Sequence, residues 1–276
     1  MSPWTPPGVD PVEHATLVPG IPSWADAPVR EWAIDRITDS YNGRMRLDFL
    51  TAWDISMRND PPHIDKYSMS RGGTFWAALD GDQKLALLDF LLFLDQDKYR
   101  ADERRKSLEM YLRASGSEWR VGTRAGDPGL EKRVPQGVAD AAEAVMATAA
   151  TAGALLSEAW HSAYGRNPDP EEAYEKAIKA VEEAGTELVL PKNPKATLGT
   201  MIAAMRDQGD WYLPLESTSA LSSPLEMMKA LWEGQESRHG GNGYRKPTPA
   251  EAEAAVLLAV PLVQFFTGKL LLRRTA

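Results

Sequence analysis

The chain of 276 residues has no cysteine. That excludes disulfides, thiol nucleophiles and thiolate metal sites, and it fits a reducing compartment, so a cytoplasmic location is the expectation. Histidine is scarce. His14, His63, His161 and His239 are scattered along the sequence, so neither a zinc site nor any other cofactor is expected. The GxxxxGK[ST] phosphate loop, a GxGxxG after a strand, HExxH and GxSxG are all missing. There is no basic module. Residues 1–124 carry 16 basic and 19 acidic side chains, and residues 125–276 carry 15 and 20, for a net charge of -8. Broad electrostatic capture of nucleic acid is therefore not expected, although a local basic patch is compatible with these totals. Long apolar runs are also lacking. The longest, Ala254–Phe266, is interrupted by Pro261 and Gln264. It falls short of the roughly 20 residues a membrane span needs, so a buried helix is predicted and no membrane partner. The first residues, MSPWTPPGVDP, show no basic-then-apolar pattern of a signal peptide.

What is present is helical periodicity. Three segments share one start signal: Asp169-Pro170-Glu171-Glu172, Ser223-Pro224-Leu225-Glu226 and Thr248-Pro249-Ala250-Glu251. Each sets a capping oxygen before a proline, which has no N–H to leave unsatisfied, and places a glutamate to reach back in a capping box. The Asp169 helix would bury Ala173, Tyr174, Ala177, Ile178 and Val181 and end at Gly185. The Ser223 helix would bury Leu225, Met228, Leu231 and Trp232. Val138–Tyr164 reads as one long alanine-rich helix, Thr197 caps a short helix through Met205, and Glu187–Leu190 reads as a short extended piece. In the first half, Pro28–Asp39, Met45–Met57, Phe75–Phe93 and Lys98–Leu112 read as helices.

The stretch Ser115–Pro135 breaks the helical pattern with glycine, proline and charge, and a domain boundary is predicted there. The expected organisation is a proline-rich extended arm over 1–24, a helical domain over 25–124 and a second helical domain over 125–276. The fold class is all-α. Six of the nine tryptophans, Trp4, Trp24, Trp32, Trp53, Trp76 and Trp119, lie in the first half, and core packing accounts for most of them.

The candidate for chemistry is the segment LWEGQESRHGGNGYRKPTP, residues 231–249. Arg238 and His239 stand side by side. Gly240, Gly241 and Gly243 surround Asn242, and Arg245 and Lys246 follow. An imidazole beside a fixed cation, on a loop whose glycines let backbone approach a ligand, can act as general acid/base with charge stabilisation. Metal-free RNA cleavage needs little more: a base for the 2′-OH and a cation for the phosphorane. In the competing reading, His239 and Arg238 are end-of-helix charges that meet the negative pole of the Ser223 helix. Arg245, Lys246 and Asn242 are the candidate nucleic-acid contacts. A second Arg–x4–His spacing, Arg58 to His63, contains two prolines and reads as a turn.

From about Gly129 onward the sequence resembles the C-terminal domain of abortive-infection proteins of the HEPN superfamily. The resemblance rests on Ala173-Tyr174, on Ala177-Ile178-Lys179-Ala180-Val181-Glu182, on Pro191-Lys192 and Lys195-Ala196-Thr197-Leu198-Gly199, and on the Arg238-His239-Gly240 turn before an alanine-rich last helix. It implies a four- or five-helix bundle that dimerises, with metal-independent RNase activity in phage defence or phage–host conflict. The family's arginine precedes a spacer and then histidine at the start of the last helix. His239 stands at the histidine's place, Trp232 at the arginine's, and Arg238 on the other side of the spacer. The expected partners are RNA and a second copy of the chain. The rival expectation is a non-catalytic interaction module, phage-encoded in one version, that binds a host protein through its N-terminal half.

Overall fold

A computed structural model describes residues 6–10, 14, 16–94, 100–124, 127–214, 222–235 and 245–274. The chain is 65% helix and 9% strand, so the expected all-α class holds, with one hairpin that the sequence reading missed. It divides into two units, Met1–Arg133 and Val134–Ala276.

In the first unit a 3-10 turn, Ser23–Ala25, leads into α1 (Asp26–Ile37). Then come α2 (Leu47–Met57), α3 (His63–Tyr67), α4 (Gly72–Ala78), α5 (Gly81–Leu94) and α6 (Ala101–Ala114). The segment read as one helix over Phe75–Phe93 is therefore two. Leu79 is extended (ψ 137°). Asp80 and Gln83 then exchange backbone–side-chain bonds of 3.0 and 2.8 Å, a reciprocal cap that restarts the helix. These short helices pack around aromatic rings. Phe49, Trp53, Phe75 and Trp76 are buried. Phe49 contacts Trp53, Phe75 and Phe90 at ring separations of 6.2–6.4 Å, a range in which edge and offset geometries are favourable. Two of the indoles in this core also spend their N–H: Trp32 donates to the Arg104 carbonyl at 2.9 Å and Trp76 to Asp26 Oδ1 at 3.0 Å.

The predicted boundary segment is the antiparallel hairpin of β1 (Trp119–Arg124) and β2 (Asp127–Lys132), in register from Trp119↔Lys132 to Arg124↔Asp127. It belongs to the first unit. Leu130 N–H donates to Asp89 on α5 (2.7 Å), Val121 N–H to Glu109 on α6 (2.9 Å), and Arg133 pairs with Glu109 (2.9 Å). The break expected after residue 124 thus falls after Arg133, because the hairpin's free backbone donors find carboxylates on these helices. The described part of the arm is not extended throughout: residues 7–9 turn, His14 is helical, and residues 18–24 lie along the turn that precedes the hairpin. Val18 bridges Ser117, Gly20 accepts from Ser117 Oγ, and Trp24 Nε1 donates to the Ser115 carbonyl at 3.1 Å.

The second unit is built from α7 (Gln136–Thr148), α8 (Ala150–Tyr164), α9 (Pro170–Val189), α10 (Leu198–Gln208), α11 (Ser222–Glu233) and α12 (Pro249–Thr267). Two-residue strands β3 (Trp211–Tyr212) and β4 (Leu272–Arg273) pair beside them. α9 is central and packs most extensively on α8 and α12. The three predicted starts are observed at Pro170, Ser222 and Pro249, within two residues of each proline. Asp169 accepts from the N–H groups of Glu171 and Glu172, and Thr248 and Glu251 form the full reciprocal box. Thr197 caps α10 as expected, with Thr200 as its partner.

Three expectations change. The 138–164 run bends between α7 and α8, where Ala150 takes φ 47°. Gly185 does not end α9, which runs on to Val189 and absorbs most of the extended piece expected at 187–190. A Cβ on Gly185 would come 2.4 Å from Met201 Cε and 3.1 Å from the Phe266 ring, so the glycine admits neighbouring side chains and terminates nothing. Ser223 lies inside α11's first turn, one residue past its start. Among the described residues one helix, α12, is long and apolar enough to cross a membrane. Ala252, Ala255, Val256, Ala259, Leu262 and Val263 on it are buried in the unit's own core, in keeping with the buried helix predicted.

Candidate functional site

Arg238, His239 and Asn242, with Glu236 beside them, lie outside the described residues. Both flanks of their segment are described, and both are held at the start of α9. On the incoming side, Tyr174 Oη donates to the Leu231 carbonyl at 3.1 Å. On the outgoing side, Lys246 Nζ meets Glu171 Oε2 at 3.1 Å. Glu171 and Tyr174 are one helical turn or less apart, so Leu231 and Lys246 both meet the first turns of α9. The Asp169 cap is what sets α9's first turn in place to offer them.

The two cations expected to contact nucleic acid have carboxylate partners. Arg245 forks onto Glu251 with bonds of 2.6 and 2.7 Å. The same Glu251 accepts from Thr248 N–H at 2.8 Å and closes the α12 capping box. The Arg245 hydrogen bond, aided by the Thr248 N–H, lowers the Glu251 pKa to about 2. Lys246 is largely exposed, and its ammonium is paired with Glu171. Ion pairs at exposed positions are weak and exchangeable, so an incoming phosphate could compete for either cation.

Trp232 occupies a packing position. Its indole lies so close to α10 that a Cβ on Gly199 would come 2.7 Å from Trp232 Cζ2. A ring used in this way fills space between α10 and α11. Tyr164 ends α8, lies tilted against Trp160 at 4.6 Å between centroids, and has its pKa raised by burial and by the Glu253 carboxylate on α12. A phenol kept protonated can donate a hydrogen bond but is not a base. Sequence reading missed Tyr164, Tyr174 and Glu253 because tyrosine on an apolar stripe looks like core. Only the folded chain sets Tyr164 beside Glu253 and Tyr174 beside the Leu231 carbonyl.

The second Arg–x4–His spacing, Arg58 to His63, is fully described. Arg58 closes α2 in the left-handed region (φ 51°), and His63 opens α3. The turn expected there is present, and a five-residue helix follows it. Asp54, buried on α2, organises the whole connection. Its Oδ1 accepts from Asn59 Nδ2 (2.9 Å), His63 N–H (2.9 Å) and His63 Nδ1 (3.0 Å), and its Oδ2 from Ile64 N–H (2.8 Å). Burial is the largest influence and pushes the Asp54 pKa up. The Asn59, His63 and Ile64 donors together outweigh it and leave the pKa below the ordinary carboxylate value. The His63 ring stacks on Tyr67 (5.8 Å) and meets Phe75 edge-on (5.7 Å). This arrangement fixes a turn and orients an imidazole whose faces are taken up by core aromatics.

No group of three or more potential metal-ligating side chains occurs among the described residues. Comparison with protein families, with curated proteins and with solved structures gave no match to this chain.

Proposed function

We propose that the protein acts in the cytoplasm in phage defence or phage–host conflict, and that its second unit is a HEPN-like domain cleaving RNA without a metal. In this reading His239 moves the proton of the attacking 2′-OH, and Arg238 offsets charge on the phosphorane. Arg245, Lys246 and Asn242 contact the RNA backbone. The observation that supports it is the double tether. Tyr174 and Glu171 hold the two flanks of the Arg238–His239 segment at one end of an all-helical unit, directly before a capped last helix.

The proposal includes a homodimer formed through α11 or α12. Leu257 on α12 is 40% exposed, a side chain that a second copy would cover. Light scattering at micromolar concentration should give twice the chain mass; a monomer mass removes the dimer from the proposal.

The decisive assay incubates the protein with structured and single-stranded RNA in the presence of EDTA. Cleavage is expected to persist, and His239→Ala should reduce it by a factor of about 100 to 10,000 while the helical circular dichroism is unchanged. Cleavage retained in that variant would remove His239 from the mechanism. A second reading, a non-catalytic interaction module, is favoured by one set of contacts: Arg245 and Lys246 engage carboxylates, and Trp232 packs where an arginine would be needed. An intact wild-type protein that cuts no RNA, but captures a host protein through its first unit, would establish that reading instead.

A further inference from the structure

Three short segments of the first unit meet at the end of α1. They are joined by two antiparallel bridges, Thr38↔Met45 and Arg44↔Arg71. Met45 N–H donates to the Ser70 carbonyl and Arg46 N–H to the Ile37 carbonyl, both at 2.9 Å. Gly72 makes this approach possible. A Cβ there would come 2.6 Å from Thr38 Cγ2 and 3.2 Å from Ile34 Cγ2.

Side chains alternate along an extended segment. Met45 is buried, so Arg44 and Arg46 share the outer face. Arg71 stands opposite Arg44. The Met45–Ser70 bond lies one residue to the side, which makes Arg44↔Arg71 a non-hydrogen-bonded pair. That is the closer of the two antiparallel arrangements, with both side chains on one face. Like charges placed so are destabilising. The groove's two carboxylates are directed at Arg46: the Asp48 hydrogen bond, with Asp39 further off, holds the Arg46 pKa above its ordinary value. Among the described residues, Arg44 and Arg71 make neither an ion pair nor a side-chain hydrogen bond.

An open groove of about 510 Å³ runs beside this pair, within the range of small-molecule sites. Arg44, Asn42 and Ser68 line its polar side, and Leu47 and Met69 its apolar side. Leu47 is 54% exposed and Met69 70%. Asn42 Oδ1 accepts from Arg44 N–H at 2.8 Å, which fixes the amide and leaves its NH2 group as a donor. Two guanidinium forks side by side suit the oxygens of a phosphate, which each can grip through two bonds. A dianion between them also turns their repulsion into attraction.

We infer that this groove binds a phosphate monoester, with its head between Arg44 and Arg71 and its organic part over Leu47 and Met69. The groove belongs to the first unit, and its ligand is independent of the RNA proposed for the second.

The test titrates the full chain with phenyl phosphate by calorimetry. One saturable site is expected. Phenol, with the same ring and no charge, should bind about tenfold more weakly or worse, as loss of charge-assisted hydrogen bonds implies. Arg44→Gln with Arg71→Gln should weaken phenyl phosphate by about tenfold or more. Arg113→Gln, exposed on α6 and outside the lining, should leave it unchanged. Should the double variant fail to fold, Met69→Glu sets a carboxylate on the groove wall and should weaken binding likewise. Vesicles containing phosphatidic acid separate two sources of the same group. Recruitment that is lost in the double variant or in Met69→Glu assigns the head to a lipid, and phenyl phosphate binding without recruitment assigns it to a soluble ester. The phosphate site is overturned if phenyl phosphate shows no saturable binding, if phenol binds as well, or if Met69→Glu and a folded double variant both bind as the wild type does.

Discussion

The two units solve the same packing problem with opposite materials. The first has short helices, of which α3 and α4 are 5 and 7 residues long. Its volume is filled by Trp32, Phe49, Trp53, Phe75 and Trp76. The second has α9 and α12 of 20 and 19 residues, and its interior is lined by Ala159, Ala173, Ala177, Ala180, Ala255 and Ala259. Large rings bridge gaps between short elements that cannot align over many turns. Alanine lets long helices approach closely along their whole length and costs no side-chain entropy. The first unit should therefore be most sensitive to truncation, and the second to enlargement.

The largest effect that tests this contrast is Trp53→Ala. Trp53 is 1% exposed and touches Phe49 and Phe90, so its loss should cost about 3–5 kcal/mol. Urea unfolding followed by tryptophan fluorescence would measure it, and a cost below about 1 kcal/mol would contradict a ring-filled core. Next is enlargement in the second unit. A Cβ on Gly153 would come 2.2 Å from the Met146 carbonyl oxygen, a backbone atom at the α7–α8 bend. Gly153→Ala should cost about 1–3 kcal/mol despite alanine's better helix propensity. A stabilised Gly153→Ala protein would show that the bend opens freely.

Asp54→Ala should have a comparable or smaller effect, about 1–3 kcal/mol, because it leaves the His63 and Ile64 N–H groups without their acceptor. Its pH dependence sharpens the comparison. The Asp54 pKa is lowered in the folded state, so its contribution is complete above the unfolded value near 3.9 and is lost as pH falls through the folded one. The difference between wild type and Asp54→Ala should then shrink below about pH 4; a difference that grows on acidification would reverse the assigned sign. The smallest effect is expected from Glu251→Gln. It removes an exposed pair with Arg245 and weakens one helix cap. Faster amide exchange confined to the first turn of α12 is the expected result, whereas global destabilisation would mean that the cap supports more than that turn.

Legibility in the sequence followed the range of the interaction. Pro170 and Pro249, with their caps, announced α9 and α12 because a cap is a contact between neighbours a few residues apart. Asp80 and Gln83 carry the same signal, so the α4–α5 break was readable but was masked by the continuous apolar pattern around it. The hairpin was not readable as such. Its strands contain glycine and proline, and two of its backbone donors bond to Asp89 and Glu109, far away in sequence. Gly185 misled for a related reason: a glycine that ends a helix and one that makes room for Met201 look alike without the partner. Of the candidate site, the sequence pointed to Arg238 and His239 but not to Tyr174 and Glu171, which matter only because α9 begins beside both flanks of that segment.

The sequence by itself determined the all-α class, the starts of α9, α10, α11 and α12, the buried fate of the last apolar helix and the absence of thiol chemistry. These follow from local hydrogen bonding, side-chain periodicity and composition, which need no knowledge of distant contacts. Only the tertiary structure decided that the hairpin belongs to the first unit, that Arg245 and Lys246 face Glu251 and Glu171, that Asp54 commands the Arg58–His63 turn, and that Arg44 and Arg71 stand opposite one another across a bridge. Each of those outcomes depends on which carboxylate, ring or carbonyl a side chain meets after the chain has folded back, and long-range partners of this kind leave no periodic trace in the residues between them.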